Sequence, residues 1–180
     1  MFNNVSEDIR IFSEKHKDQG FFKYVYYPDI RVVMLIRLQN WFSCHGLRPL
    51  AYLIVMLNDF LHGVWVGPRV QIGQGLSLGH PRGLVINPGT KIGRYCTILN
   101  QVTLGGPNVV INDYVEIGVG AKVISTKDRE VVIGEHSIIG AGAVVVHSIP
   151  PHSVVAGVPG RVIKEKDMDK WLKERPYYKM

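Results

Sequence analysis

From Val66 to Pro150 an aliphatic residue returns at nearly every sixth position. Val66, Ile72 and Leu78 lead the first three hexads, and Ile86, Ile92, Ile98 and Leu104 lead the next four. Ile111, Ile117 and Val123 follow, then Ile133, Ile139 and Val145. Four places after most leaders stands a small or aliphatic residue, such as Val70, Leu76, Thr90, Cys96, Val102, Ala121 or Ala143. Glycine directly follows many leaders, as at Gly67, Gly73, Gly93, Gly105, Gly118, Gly134 and Gly140. An amphipathic helix needs apolar spacing near 3.6, and a half-buried strand needs alternation. A period of six with turn glycines predicts a short flat strand and a tight corner, repeated. Three such units close a coil of about 18 residues, and stacked coils bury a continuous core of leaders. The pattern therefore predicts a mainly β chain built as a parallel β-helix.

Ahead of the repeats the spacing turns helical. Ser6 to Lys17 reads as a short helix with Ser6 as its cap. A second helix runs from Asp29, with Ile30, Val33, Met34, Ile36, Leu38, Trp41 and Phe42 on its apolar positions. The Cys44-His45-Gly46-Leu47-Arg48-Pro49 stretch breaks it, and Leu50 to Leu61 begins a third. These helices carry more apolar surface than a narrow solenoid buries. The surplus packs on the first coil, on a partner chain or against a membrane surface. The organisation is residues 1–64 as a helical region, 65–164 as the solenoid and 165–180 as a tail. Asp167 to Lys173 reads as a short helix capping the open end of the core.

Three interruptions break the beat: His80-Pro81-Arg82-Gly83, Gly106-Pro107-Asn108, and a longer one within Ser125 to Glu130. Repeat folds push insertions outward, where ligands bind, and the first two are expected to flank the site. With the interruptions removed, the third residue of every third hexad falls in one column: His62, His80, Asn100, Val119 and Ala141. Neighbouring coils stack about 4.8 Å apart, so His80 and Asn100 should be adjacent. The other histidines, His16, His45, His136, His147 and His152, read as surface or loop residues.

The runs from Ile72 to His80 (IGQGLSLGH), Ile86 to Gly106, Ile117 to Ile124 (IGVGAKVI), Ile139 to Val146 (IGAGAVVV) and Ile149 to Ile163 carry a resemblance. They resemble the hexapeptide-repeat acyltransferases, nearest the serine acetyltransferase-like branch, which includes sugar O-acetyltransferases of surface-polysaccharide assembly. The resemblance covers roughly Trp65 to Lys164 and implies a left-handed β-helix of about four to five coils. It implies acetyl-CoA as acyl donor, held between neighbouring chains of a homotrimer, and His80 as general base. Asn100 would hold that base or contact the thioester side. Gly105, Gly106, Gly118, Val119, Gly140 and Ala141 match the positions passed by the pantetheine arm. Arg161 and Lys164, in and after a GVPGR segment, match the nucleotide end.

Some positions depart from the serine enzymes. An acid there precedes the histidine directly, and another lies fifteen places earlier; here these are Gly79 and Trp65. An Arg-His pair in the loop after Leu-Gly-Gly is also missing, because Gly106 reaches Ile111 through four residues only. Recognising a free amino acid requires charged partners for its ammonium and carboxylate. The reading from sequence is therefore O-acetylation of a sugar hydroxyl in polysaccharide synthesis. Serine acetylation is the alternative, with a carbonic-anhydrase-type lyase or a non-catalytic solenoid behind it. Zinc would need three protein ligands, and only His62 and His80 share the column.

Composition adds bounds. The 180 residues carry a formal charge of +6, with basic residues gathered toward the C-terminus among acids. That suits a solvated helix face or attraction to phosphates and anionic glycans, and no nucleic-acid motif is present. The two cysteines, Cys44 and Cys96, lie far apart, and Cys96 holds an inward position, which fits reduced thiols. With a polar start and no apolar run of spanning length, the expectation is a cytoplasmic chain.

Overall fold

In the computed structural model, which describes residues 2–167, each hexad becomes a strand of a few residues and a corner. One parallel face holds β1 (Trp65–Val66), β4 (Val85–Ile86), β7 (Thr103–Gly105), β10 (Lys122–Ile124) and β13 (Val144–Val145). The second holds β2 (Gln71–Ile72), β5 (Lys91–Ile92), β8 (Val109–Ile111) and β11 (Val131–Ile133), and Ile149 bridges onto Ile133. The third holds β3 (Ser77–Gly79), β6 (Thr97–Leu99), β9 (Glu116–Ile117), β12 (Ile138–Ile139) and β14 (Ser153–Ala156). The hexad leaders pair in register down each face: Val66, Ile86, Leu104, Val123 and Val145 on the first. Leu78, Ile98, Ile117, Ile139 and Val155 do so on the third. All are buried in one continuous core. The result is a parallel solenoid of about five turns behind a helical segment, the mainly β architecture that the period requires.

Stacking distance dictates the glycine after a leader. A Cβ on Gly118 would lie 2.7 Å from the Ala141 nitrogen, and one on Gly140 would lie 2.9 Å from the Val155 carbonyl oxygen. Other corners are left-handed without glycine, at His80, Tyr95, Gln101, Tyr114, His136 and His152. That conformation costs roughly 1–2 kcal/mol for a residue with a Cβ. At the corner between the second and third faces, ring stacking offsets the cost. Tyr95 stacks on Tyr114 (5.2 Å), Tyr114 on His136 (4.6 Å) and His136 on His152 (5.5 Å). His136 and His152 lie in turns, as expected from sequence, and the stacking makes them half-buried rungs of a ladder.

Four helices precede the coils: α1 (Phe2–Lys15), α2 (Lys23–Tyr26), α3 (Pro28–Cys44) and α4 (Arg48–His62). Proline opens α3 and stands in the first turn of α4, where a missing N–H does no harm. α1 begins well before Ser6, so that residue lies inside the helix and is not its cap. α3 lies across the first coil, and its Val32, Val33 and Ile36 join the solenoid core.

The same helix pairs the first coil's outward carbonyls. Arg37 donates to the carbonyl oxygens of Ile72 (2.7 Å) and Gly73 (2.5 Å), and Gln39 to those of Val66 and Gly67 (both 3.1 Å). Arg37 also grips Asp8 of α1 through Nε (2.7 Å) and Nη2 (3.1 Å), and Asp8 accepts the Leu76 N–H at 2.9 Å. Burial pushes the Asp8 carboxyl up, and Arg37 opposes the shift.

α4 packs on α3 and leaves Tyr52, Leu53, Met56 and Phe60 exposed. No described helix is long and apolar enough to cross a membrane. At the other end β15 (Arg161–Glu165) folds back antiparallel on β14. The tail helix expected from Asp167 to Lys173 lies, beyond Asp167, outside the described residues.

Removing Arg37 strands Asp8 as a buried carboxylate without its cation. Arg37→Met should therefore cost about 3–5 kcal/mol, read as a lower urea midpoint. Gln39→Ala, which loses neutral hydrogen bonds only, should cost about 1 kcal/mol. Burial, with the charge of His152 second, lowers the affinity of His136 for a proton. The folded chain therefore binds that proton less readily than the unfolded one. The His136 contribution is complete above about pH 6.5 and is lost as pH falls below it. Urea titrations should show a shallower acid-side decline for His136→Tyr than for the parent chain.

Candidate active site

His80 occupies the corner that follows β3, where the chain passes from the third face to the first. Its backbone is left-handed (φ 50°), its side chain is exposed, and Pro81 behind it is buried. The register of β3 on β6 pairs Gly79 with Leu99, which sets Asn100 beside His80 in the next coil. Beyond the strands the column stays bonded, because Gly120 N–H donates to the Asn100 carbonyl (2.9 Å) and Gly142 N–H to that of Val119 (2.8 Å). His80, Asn100, Val119 and Ala141 therefore descend one corner, one per coil, as the count from sequence demanded. His62 does not belong to it. That residue ends α4 and is no coil position, since the hexad count was carried back across the boundary into a helix.

His62 nevertheless reaches the same place. A groove of about 940 Å³ runs between the helices and the His80 corner. Ile30, Met34 and Leu38 of α3 give it an apolar wall, and Arg31, His62, His80 and Arg82 supply polar groups. Burial lowers the proton affinity of His62, and the positive charges of Arg31 and Arg82 lower it further. Both effects favour the neutral form of the His62 imidazole.

Two residues near His80 were not singled out from sequence. Asp29, in the first turn of α3, is buried and accepts the His80 backbone N–H at 3.1 Å. His16 lies in the turn just after α1, as the loop reading expects, and packs its ring on Tyr27 (4.2 Å) and Phe12 (4.7 Å), which half-buries it. Burial lowers the proton affinity of His16, Asp29 opposes this, and Lys15, Lys23 and His80 add to the lowering. His16, Asp29 and His80 thus lie within electrostatic reach of one another. The only signal in the sequence was the Pro28-Asp29 pair, which reads as an ordinary helix start.

The small residues divide between two corners. Gly118 with Val119, and Gly140 with Ala141, lie below His80, and the two non-glycine residues are exposed. Gly105 and Gly106 lie at the corner between the first and second faces. There Gly106 is left-handed (φ 90°) and closes against Ser125. The second insertion, expected beside His80, is at that same distant corner. It stacks on the third, with Asn108 N–H donating to Ser125 Oγ (3.0 Å) and its amide to the carbonyls of Thr126 (3.3 Å) and Lys127 (3.1 Å). Coil phase, not proximity in sequence, decides which corner an insertion joins. Arg161 and Lys164 are exposed on β15 at the far end of the third face. Cys96 points into the core, and burial pushes its thiol up to about 12, which rules it out as a ready nucleophile. Among the described residues no three His, Cys, Asp or Glu side chains are gathered as a metal-binding group.

The chain is 33% identical over 172 residues to serine acetyltransferase of Synechococcus elongatus, covering 91% of this chain and 69% of that protein. It is 40% identical over 144 residues to the serine acetyltransferase of Mycobacterium tuberculosis, covering 76% of this chain and 61% of that one. The fold is similar to the crystal structure of serine acetyltransferase from Brucella abortus in complex with coenzyme A. The TM-score is 0.79 at 28% identity, covering 91% of this chain and 68% of that one. No family model matches. These relatives are serine enzymes, so the sugar branch preferred from the sequence finds no support among them.

Proposed function

Because the chain belongs to the serine acetyltransferase family, we propose that it moves the acetyl group of acetyl-CoA onto the hydroxyl of a small acceptor, L-serine being the first to expect. The observation that carries this reading is an exposed imidazole at the mouth of a groove, with an amide side chain one coil below it. The His80 ring takes the acceptor's hydroxyl proton as the oxygen attacks the thioester carbonyl. The carbonyl oxygen gains the charge and is met by the Asn100 amide. Collapse breaks the carbon–sulfur bond, and the departing thiolate recovers the proton from His80. No acyl-enzyme is needed.

On this reading the pantetheine arm follows the corner below His80, past Gly118-Val119 and Gly140-Ala141. From the His80 coil to the β14–β15 hairpin is four coil spacings, on the order of 20 Å. An extended donor on that path would bring its phosphates to Arg161 and Lys164. Gly105 and Gly106 face another corner, so they would meet the same donor only from a neighbouring copy. A homotrimer with the donor between copies satisfies that.

A sugar acceptor stands as the second reading, favoured by the groove itself. Its 940 Å³ exceeds what one free serine fills, and Gly79 and Trp65 bring no charge for an ammonium. For serine, Arg31 and Arg82 offer its carboxylate two cations. Thiol release from acetyl-CoA, followed with serine, free sugars and nucleotide sugars in turn, decides between them. Serine is expected to give the highest kcat/KM, and a preference for a sugar would reverse the order. His80→Ala should lower kcat by about 10²–10⁴-fold and leave coenzyme A affinity unchanged by calorimetry. Val119→Trp, which fills the path of the arm, should raise the KM for acetyl-CoA and leave chain stability nearly unaltered. Unchanged KM would remove the arm from that corner.

A further inference from the structure

The left-handed corners built without glycine share a rule that His80 alone breaks. Six non-glycine residues adopt positive φ among the described residues. Five of them send the backbone N–H to a carbonyl oxygen of the preceding coil. Tyr95 bonds Gln74 (2.9 Å), Gln101 bonds Arg82 (3.1 Å) and Tyr114 bonds Arg94 (2.8 Å). His136 bonds Asp113 (3.0 Å) and His152 bonds Glu135 (2.9 Å). His80 is in the first coil, so no earlier coil exists to accept its N–H. The acceptor is instead Asp29 Oδ1, 51 residues earlier in the chain and carried by a helix.

The substitute differs from what it replaces. The acceptor here is a carboxylate oxygen rather than a backbone carbonyl, and at 3.1 Å the bond is no shorter than the five it stands beside. Asp29 is only 8% exposed, so water competes little for it. It stands in the first turn of α3. α3 is itself fixed to the first coil through Arg37 and Gln39. A rigid path therefore leads from the buried coil edge, through α3 and Asp29, to the backbone of His80.

We propose that Asp29 is a positioning residue for His80, holding the strained corner so that the imidazole faces the groove in one orientation. The inference rests on His80 acting as the base. Asp29 touches neither donor nor acceptor in this scheme. Its effect belongs to turnover and not to binding of acetyl-CoA, which lies down the column from it.

The test compares Asp29→Ala, which removes the acceptor, with Asp29→Asn, which keeps an amide oxygen in its place. Both are measured in the full chain and again in the His80→Ala background. Asp29→Ala should lower kcat by about 100-fold, the usual consequence of displacing a reacting group by about 1 Å. Asp29→Asn should recover activity to within about tenfold of the parent, because one neutral hydrogen bond replaces a charged one. The KM for acetyl-CoA should stay within about twofold in each variant, and Asp29→Ala should cause no further loss once His80 is absent. Retention of full kcat in Asp29→Ala would overturn the inference. So would an equal loss from Asp29→Ala with and without His80, since that reports a role independent of the imidazole. If Asp29→Ala does not fold, Asp29→Asn decides, and a loss there as deep as in His80→Ala counts against it. Failure of the unaltered chain to transfer acetyl to any hydroxyl would instead bring down the function on which the inference rests.

Discussion

A parallel solenoid has no natural beginning. Every coil bonds to the next through its backbone, and the first is left with a row of carbonyl oxygens and no strand to pair them. An open edge of that kind invites another chain and exposes the core's end. Here the gap is closed by a helix, with Arg37 and Gln39 reaching four carbonyls and Asp8 balancing the buried guanidinium. A buried ion pair rarely adds much net stability, because desolvation offsets its attraction. At this edge the pair joins α1 to α3, and the same guanidinium and carboxylate tie both helices to the first coil. The His80 corner depends on that junction, since the groove's wall is made of the helix that docks there.

The corners convert the repeat into chemistry. Flat strands point leaders inward, and the residue just past each strand is turned outward at an edge of the prism. Successive coils therefore display one side chain each along a straight line. At the corner between the second and third faces the line became a stack of rings that steadies the fold. Between the third and first it holds His80, Asn100, Val119 and Ala141, which stay accessible. The same backbone geometry thus serves stability in one column and presents exposed polar and small side chains in another. The difference lies in whether neighbours are large enough to touch.

Periodicity explains which parts could be read in advance. The leaders, the three faces and the adjacency of His80 with Asn100 all follow from counting by six, because burial and backbone register share that period. The misses lie where the period does not apply. His62 falls on the hexad count, but its segment is helical. The loop after Gly106 is near His80 in sequence, but coil phase puts it at another corner. Asp29 shows only an ordinary helix start and His16 shows nothing, because a docked helix bears no fixed phase to the coils it covers. His136 and His152 look like isolated turn residues in the sequence, and only the stack across coils gives them a role.

This division bears on the acceptor. His80, its amide neighbour Asn100 and the exposed small residues below them are solenoid features, fixed by a repeat that cannot shift one residue without exposing its core. The groove's other wall is α3 and the end of α4, whose surface residues can change without disturbing any coil. A chain of this design can hold one transfer chemistry constant while its acceptor varies with the helices. On the proposed reading, the choice between an amino acid and a sugar turns on Arg31, Arg82 and the apolar residues Ile30, Met34 and Leu38, because two cations suit a carboxylate while the apolar wall offers surface that free serine leaves unused.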